Sequence, residues 1–212
     1  MNIYILHRYL GYLLILPVVL WALTGAFFLV KPGYKNAYEQ LQIISYPLDS
    51  TLPLSPLVEW QAIAINRSIL GSHYRVKVAN KWLHINPLDN QTLSEPSSQS
   101  IINLLQDAIK HNPARYGSVL SYQDGVAVTN TKVKLMFDWS RLSLRQQGAD
   151  SRFFNTMYDI HYLRWTGNKV FDQWFGYIGL GLLALMALTG VVMVKKSMRK
   201  VDAEVDMKRP KQ

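Results

Sequence analysis

Two uncharged apolar runs, one near each end, constrain this chain more than any other feature. Residues 9–30 and 174–194 contain no Asp, Glu, Lys or Arg. A helix needs about 20 apolar residues to cross a hydrocarbon core, so each run is long enough to span a membrane. The runs also share a pattern. Gly11-Tyr12 is followed by Ala22-Leu23-Thr24-Gly25, and Gly176-Tyr177 is followed at the same spacing by Ala187-Leu188-Thr189-Gly190. A histidine precedes each copy, His7 and His161. Pro17 is tolerable in a membrane helix and is expected to kink it. The first run exceeds the apolar core of a signal peptide, about 7–15 residues, and no small-x-small cleavage site follows it, so it is expected to be retained.

Charge placement sets the expected topology. The formal net charge is +9, yet the segment between the runs is nearly balanced. The excess sits after Val194, in Lys195, Lys196, Arg199, Lys200, Lys208, Arg209 and Lys211. The positive-inside rule puts this tail in the cytoplasm. Two spans return the N-terminus, with Arg8, to the same side. The residues between are then extracytoplasmic and numerous enough for one compact domain. This distribution serves membrane topology rather than a nucleic-acid face, so nucleic acid is not an expected partner. The chain has no cysteine, which excludes disulfides and thiolate metal ligands.

The middle region reads as α+β with a small antiparallel sheet. Pro47, Pro53 and Pro56 make its start irregular. A short helix is expected over 57–69, stopped by Gly71. Tyr74, Val76 and Val78 alternate with charged residues, and Trp82 and His84 follow Ala79-Asn80-Lys81, which predicts a hairpin. Pro87-Leu88-Asp89-Asn90 reads as a turn. Ser97-Ser98 caps a helix to about Lys110, with Ile101, Leu104, Leu105 and Ala108 on its apolar face. His111-Asn112-Pro113 ends it. Strands are expected over 119–122, 126–129 and 132–138, with Asp124-Gly125 turning between the first two. Ser151 caps a further helix on which Phe154, Tyr158, His161 and Trp165 share one face. Aromatic rings favour the membrane surface, so this helix is expected to lie there. Gly167-Asn168 breaks it. The resulting division is a span in 1–31, an outer domain in 32–150, the interfacial helix in 151–170, a second span in 171–195 and a basic tail in 196–212.

The combined pattern resembles the PepSY-associated transmembrane family. The residues that carry the likeness are His7-Arg8-Tyr9-Leu10-Gly11, Thr24-Gly25, His161 and Thr189-Gly190, together with a Trp82-bearing hairpin and its Pro87-Leu88-Asp89 turn, which look PepSY-like. Larger relatives have about four spans and include bacterial ferric-siderophore reductases whose haem b is held by intramembrane histidines. This chain is closer to the compact two-span, VciB-like members linked to ferrous iron uptake. The resemblance implies a bacterial inner-membrane protein with its central domain in the periplasm. It implies reduction of ferric iron or a ferric chelate, and a possible ferrous iron transporter as partner. A homodimer would restore a four-helix membrane bundle.

Under that resemblance His161 and His7 are the expected axial ligands of haem iron, with Gly11 leaving room for a porphyrin and Phe154, Tyr158 and Trp165 flanking it. The first helix runs outward and the second inward, so the two histidines belong near opposite faces of a core about 30 Å thick. Each iron then needs a second ligand from another copy of the chain. The plain alternatives are an interfacial His7 and a His161 hydrogen-bonded within an aromatic seam. Gly176, Gly179, Ala184, Ala187 and Gly190 permit close helix packing. His73, His84 and His111 read as ordinary sheet or surface histidines, His84 being the best placed of them to meet a metal. Asp150, Asp159 and Asp172 offer hard oxygen ligands for ferric iron, but their spacing is not diagnostic and solvated or capping roles are the expected ones. No flavin, nucleotide or zinc fingerprint is present, so the electron donor is expected to be external, a quinol or a reductase. The competing function is non-enzymatic: a membrane-tethered PepSY-like binding module, or an accessory subunit of a transporter or electron-transfer complex.

Overall fold

The computed structural model describes residues 2–48 and 54–208. Pro53, and Arg209 and Lys211 of the basic tail, lie outside the described residues. The chain divides into two compact units. One contains 1–32 and 154–212, the other 33–153.

The first unit is built on α1 (Ile3–Val30) and the terminal helix α6 (Lys169–Lys208), whose number follows from the elements between them. Both are long and apolar enough to cross a membrane. Asn2 caps α1 by accepting from the Tyr4 N–H, and Lys31 closes it in a left-handed conformation. The helix runs through Pro17 without interruption. Most of its apolar side chains face outward; Tyr12 is 70% and Leu29 89% exposed. In lipid this is the expected surface, since helix pairing there relies on close packing rather than on hiding apolar groups from water. The few buried positions are Leu10, Leu14 and Thr24. α6 does not stop with its apolar run. It continues through the first basic residues to Lys208, roughly 60 Å at about 1.5 Å per residue.

The second unit begins with the short α2 (Tyr34–Ala37) and holds two antiparallel sheets instead of the one expected. Strands β1 (Ala62–Ser68), β2 (Gly71–Val78) and β3 (Lys81–Ile85) form the first meander. Ala79 and Asn80 both have positive φ, the backbone that a two-residue hairpin turn matching the strand twist requires. The helix expected over 57–69 is instead β1. Its seven residues pair in full register with β2, from Ala62 opposite Lys77 to Ser68 opposite Gly71. Ile63 and Ile65 are β-branched and suit that pairing, and Gly71, at φ 101°, serves the hairpin rather than a helix end.

α3 (Ser98–Ile109) is capped by Ser97, whose hydroxyl accepts from the Ser100 N–H. Ile101, Leu104, Leu105 and Ala108 are essentially inaccessible to solvent, as the apolar spacing predicted. They pack on a second sheet made of β4 (Val119–Gln123), β5 (Val126–Thr129), β6 (Lys134–Asp138) and β7 (Ser143–Gln147), after the short α4 (Pro113–Tyr116). Ala127, Leu135, Phe137 and Leu144 supply the sheet side of this core. Asp124-Gly125 turns between β4 and β5, both with positive φ. β7 is additional to the expected strands; only Leu144 is apolar in it, so its alternation leaves little trace in the sequence.

α5 (Ala149–His161) follows. It ends four residues short of Trp165, and the reason is local. Leu163 adopts a left-handed conformation, its N–H reaches the Ile160 carbonyl, and the Arg164 N–H reaches the Asp159 carbonyl. This is a Schellman closure, usually made with glycine at the left-handed position. Here the Leu163 side chain lies against Gly179 of α6.

Candidate functional site

The membrane unit brings each histidine to the threonine of the opposite repeat copy. His7 Nδ1 lies 2.8 Å from Thr189 Oγ1, and His161 Nδ1 lies 2.9 Å from Thr24 Oγ1. The glycine after each threonine makes room: a Cβ at Gly190 would stand 3.4 Å from His7 Cε1, and one at Gly25 would stand 3.9 Å from His161 Cε1. The recurring Thr-Gly is therefore a seat for an imidazole from another helix. Because α1 and α6 are antiparallel, the two seats sit at opposite ends of the pair.

The hydroxyl protons decide which tautomer the rings adopt. Thr24 Oγ1 donates within α1, 2.7 Å from the Leu20 carbonyl and 3.1 Å from that of Trp21. Thr189 Oγ1 donates to the Met186 carbonyl at 2.8 Å. A hydroxyl has one proton. With that proton committed to a helix carbonyl, each threonine oxygen is an acceptor toward its histidine, so each Nδ1 carries hydrogen. In the neutral imidazole that tautomer leaves Nε2 as the lone pair. Neither Nε2 has a hydrogen-bond partner among the described residues, and both rings are only partly buried. Metal-binding histidines are commonly held this way, with the far nitrogen donating to a protein acceptor. These two rings therefore fit a role as ligands of haem iron through Nε2.

Aromatic side chains orient His161. Trp21 stacks on it with centroids 5.5 Å apart, and Phe28 meets it edge-on at 5.3 Å. Tyr158 stacks on Phe28 at 4.4 Å, and the buried Phe154 tilts against Phe27 at 5.2 Å. Phe154 and Tyr158 thus act as a brace one layer back from the imidazole. Trp165 departs from the expected face. It lies beyond the end of α5 and packs on Phe175 at 5.5 Å. Trp21 and Phe28 were the residues that periodicity along α5 alone had no means of finding, since they come from α1. Gly11, one turn from His7, has no neighbouring atom within 4 Å of a built Cβ, so that helix surface is open.

Two of the three candidate carboxylates are otherwise engaged. Asp172 accepts from the Thr166 N–H at 3.0 Å and its hydroxyl at 2.7 Å, tying down the loop before α6. Asp150 forms an ion pair with Arg115, and this guanidinium holds its carboxyl below the usual range. Asp159 is exposed on α5. No group of three or more His, Cys, Asp or Glu suited to a metal ion occurs among the described residues.

The three remaining histidines have separate duties in the other unit. His111 Nε2 lies 2.6 Å from Glu39. His84 donates from Nε2 to the Trp139 carbonyl at 2.7 Å and stacks on the Trp139 ring at 3.9 Å. His73 lies 2.6 Å from Ser68 Oγ and is 5% exposed. Burial, then the neighbouring His84 and Arg75, push its pKa down to about 4.

The family model described as the PepSY-associated TM region matches residues 4–212. The chain belongs to that family. The match runs through both membrane helices and the whole of the intervening unit, so the PepSY-associated TM assignment covers the His7 and His161 seats alike. No curated protein and no solved structure matches the chain.

Proposed function

We propose that this PepSY-associated TM protein is a haem-b ferric reductase of the bacterial inner membrane, acting as a homodimer and serving iron uptake. The observation that carries the reading is the pair of threonine-set tautomers, which leave Nε2 of His7 and of His161 bare on partly exposed rings. Haem b, when bound, supplies a one-electron Fe(III)/Fe(II) couple. The residues of this chain would hold and orient it. His7 and His161 provide Nε2, Thr189 and Thr24 fix the rings, and Gly11 leaves the helix surface clear. Roughly 25 Å of helix separates His7 from Thr24, at about 1.5 Å per residue. That spacing would keep the two histidines of one chain off a common iron, so each haem would draw its second histidine from a second copy of the chain.

The overall reaction takes one electron from an external donor, a quinol or a reductase, and gives it to Fe(III) at the periplasmic face. The positive-inside charge of the tail supports that orientation. The test is the visible spectrum of the protein purified in mild detergent after expression with added haem. A Soret band, with a shift on addition of dithionite, is expected, and so is its reoxidation by ferric citrate. His161→Ala is expected to remove one of the two haems. A wild-type protein without a Soret band overturns the reading in favour of a tethered binding module. Reduced protein that ferric citrate leaves reduced favours an accessory electron-transfer subunit.

A further inference from the structure

The unit spanning 33–153 contains a cleft of about 420 Å³ between the β1 edge of one sheet and the β7 edge of the other. The extended segment before β1 forms its floor and touches both sides. Gln42 makes an isolated bridge with Ser143, and the Tyr46 N–H donates to the Arg67 carbonyl. Three arginines line the cleft, Arg67, Arg75 and Arg145, and no Asp or Glu does; Arg67 Nη1 donates to the Pro47 carbonyl at 3.0 Å. Like charges gathered at one concavity repel unless an anion joins them.

Arg75 is the informative member. It comes from the middle strand β2, is half-buried, and is met by neutral groups alone. Nη2 donates to Asn66 Oδ1 at 2.6 Å, Nη1 donates to the Arg141 carbonyl at 2.5 Å, and its cationic head lies over the Trp82 ring. Its Nε is buried with no hydrogen-bond partner. A guanidinium removed from water needs a countercharge and partners for its donors. Arg145, on the facing edge strand, is exposed and has no ion pair among the described residues. His73 also lines the cleft and stays neutral at pH 7, so it contributes a hydrogen-bonding group without adding charge.

We propose that this cleft binds a small polycarboxylate, a di- or tricarboxylate of the size of citrate, as the free anion or as its ferric chelate. Guanidinium groups recognise carboxylates through their N–H donors; Arg75 and Arg145 come from strands of opposite sheets, and each Nη of Arg75 makes a single hydrogen bond and so keeps a second N–H. The volume suits a small ligand. The chelate arm rests on the ferric reductase reading above and would make the cleft its substrate-capture site; the free-anion arm does not depend on it.

The experiment is calorimetric titration of the full-length protein in detergent with citrate, ferric citrate and acetate. Saturable one-to-one binding of citrate or ferric citrate is expected, with acetate at least a hundredfold weaker. The tighter of the two citrate probes identifies the source. Arg145→Gln, at an exposed position, is expected to weaken binding at least tenfold. Arg75→Gln is expected to do the same, and Lys132→Gln, a cation on a turn elsewhere in the unit, to leave it unchanged. Absence of saturable binding to either probe overturns the proposal, as does an Arg145→Gln protein that binds like wild type. The readout needs no haem. Citrate binding without a Soret band sinks the reductase reading and keeps the cleft; haem without citrate binding does the reverse.

Discussion

Acidification tests the middle unit through His73. Its ring is buried beside His84 and Arg75, and its pKa falls from 6.5 to about 4. In the unfolded chain the ring takes up a proton near pH 6.5; in the fold it stays neutral until about pH 4. The unfolded state therefore binds more protons across that window, and stability rises with pH there. The contribution is fully present above pH 6.5 and is lost as pH falls toward 4. At about 1.4 kcal/mol per tenfold change in proton affinity, the full interval corresponds to about 3 kcal/mol. Partial hydration of the ring reduces this, and about 2 kcal/mol is the expected loss between pH 7 and pH 4. Burial also lowers the pKa of His84 and so steepens the same loss. Asp150 and Glu39, whose carboxyls are held low, add to the loss as pH falls through the ordinary carboxylate range toward their lowered values, at the acid end of this window. Histidine-selective NMR of the full-length protein in detergent reads the ring directly. Urea unfolding followed by near-ultraviolet circular dichroism at pH 7, 5.5 and 4.5 reads the energy. His73→Gln keeps a polar group for Ser68 and removes the titration, so its stability should fall less steeply. A His73 ring titrating near pH 6.5, or a variant as acid-sensitive as wild type, would refute the argument.

The membrane seats and the soluble core give further outcomes. Thr24→Val and Thr189→Val each delete the acceptor for an imidazole N–H; histidine ¹⁵N shifts should change from one tautomer to a mixture, with a cost of about 0.6–1.7 kcal/mol to helix pairing. On the proposed function, the same substitutions should weaken haem retention about 10–100-fold, measured by haem transfer to apomyoglobin, as loss of an outer-shell partner commonly does. Leu104→Ala empties a fully buried position between α3 and the four-stranded sheet, and should destabilise that unit by about 2–5 kcal/mol in urea titrations.

Where local chemistry decides structure, the sequence was a good guide. The two spans, the Ser97 cap, the buried face of α3 and the turns at Ala79-Asn80 and Asp124-Gly125 all follow from periodicity or from residues that tolerate particular backbone angles. β1 reads as a helix in sequence because a short apolar stretch fits either period until its partner strand is known. β7 left almost no alternation to read. The extent of α5 depended on Leu163 entering a left-handed conformation, a position for which leucine gives no signal and which the contact with Gly179 accompanies. The histidines and the Thr-Gly pairs were visible as motifs. Their cross-pairing was not, since a repeat seen in sequence does not say which copy receives which ring. The carboxylates drew attention as iron ligands by type alone, and Asp172 turned out to be occupied by Thr166.

The two imidazole seats also make the helix pair a ruler. Each seat takes its ring from one helical segment and its threonine from another, and the seats lie at opposite ends of α1. Sliding α1 along α6 by a turn, about 5.4 Å, would unseat His7 from Thr189, and inserting one residue between His7 and Thr24 would rotate one end by about 100° relative to the other. The distance between the two imidazoles is therefore set by the covalent length of a helix, and side-chain substitutions elsewhere in the spans leave it alone. A lipid-facing surface can drift freely in sequence under such a constraint, while the count of residues between the seats cannot.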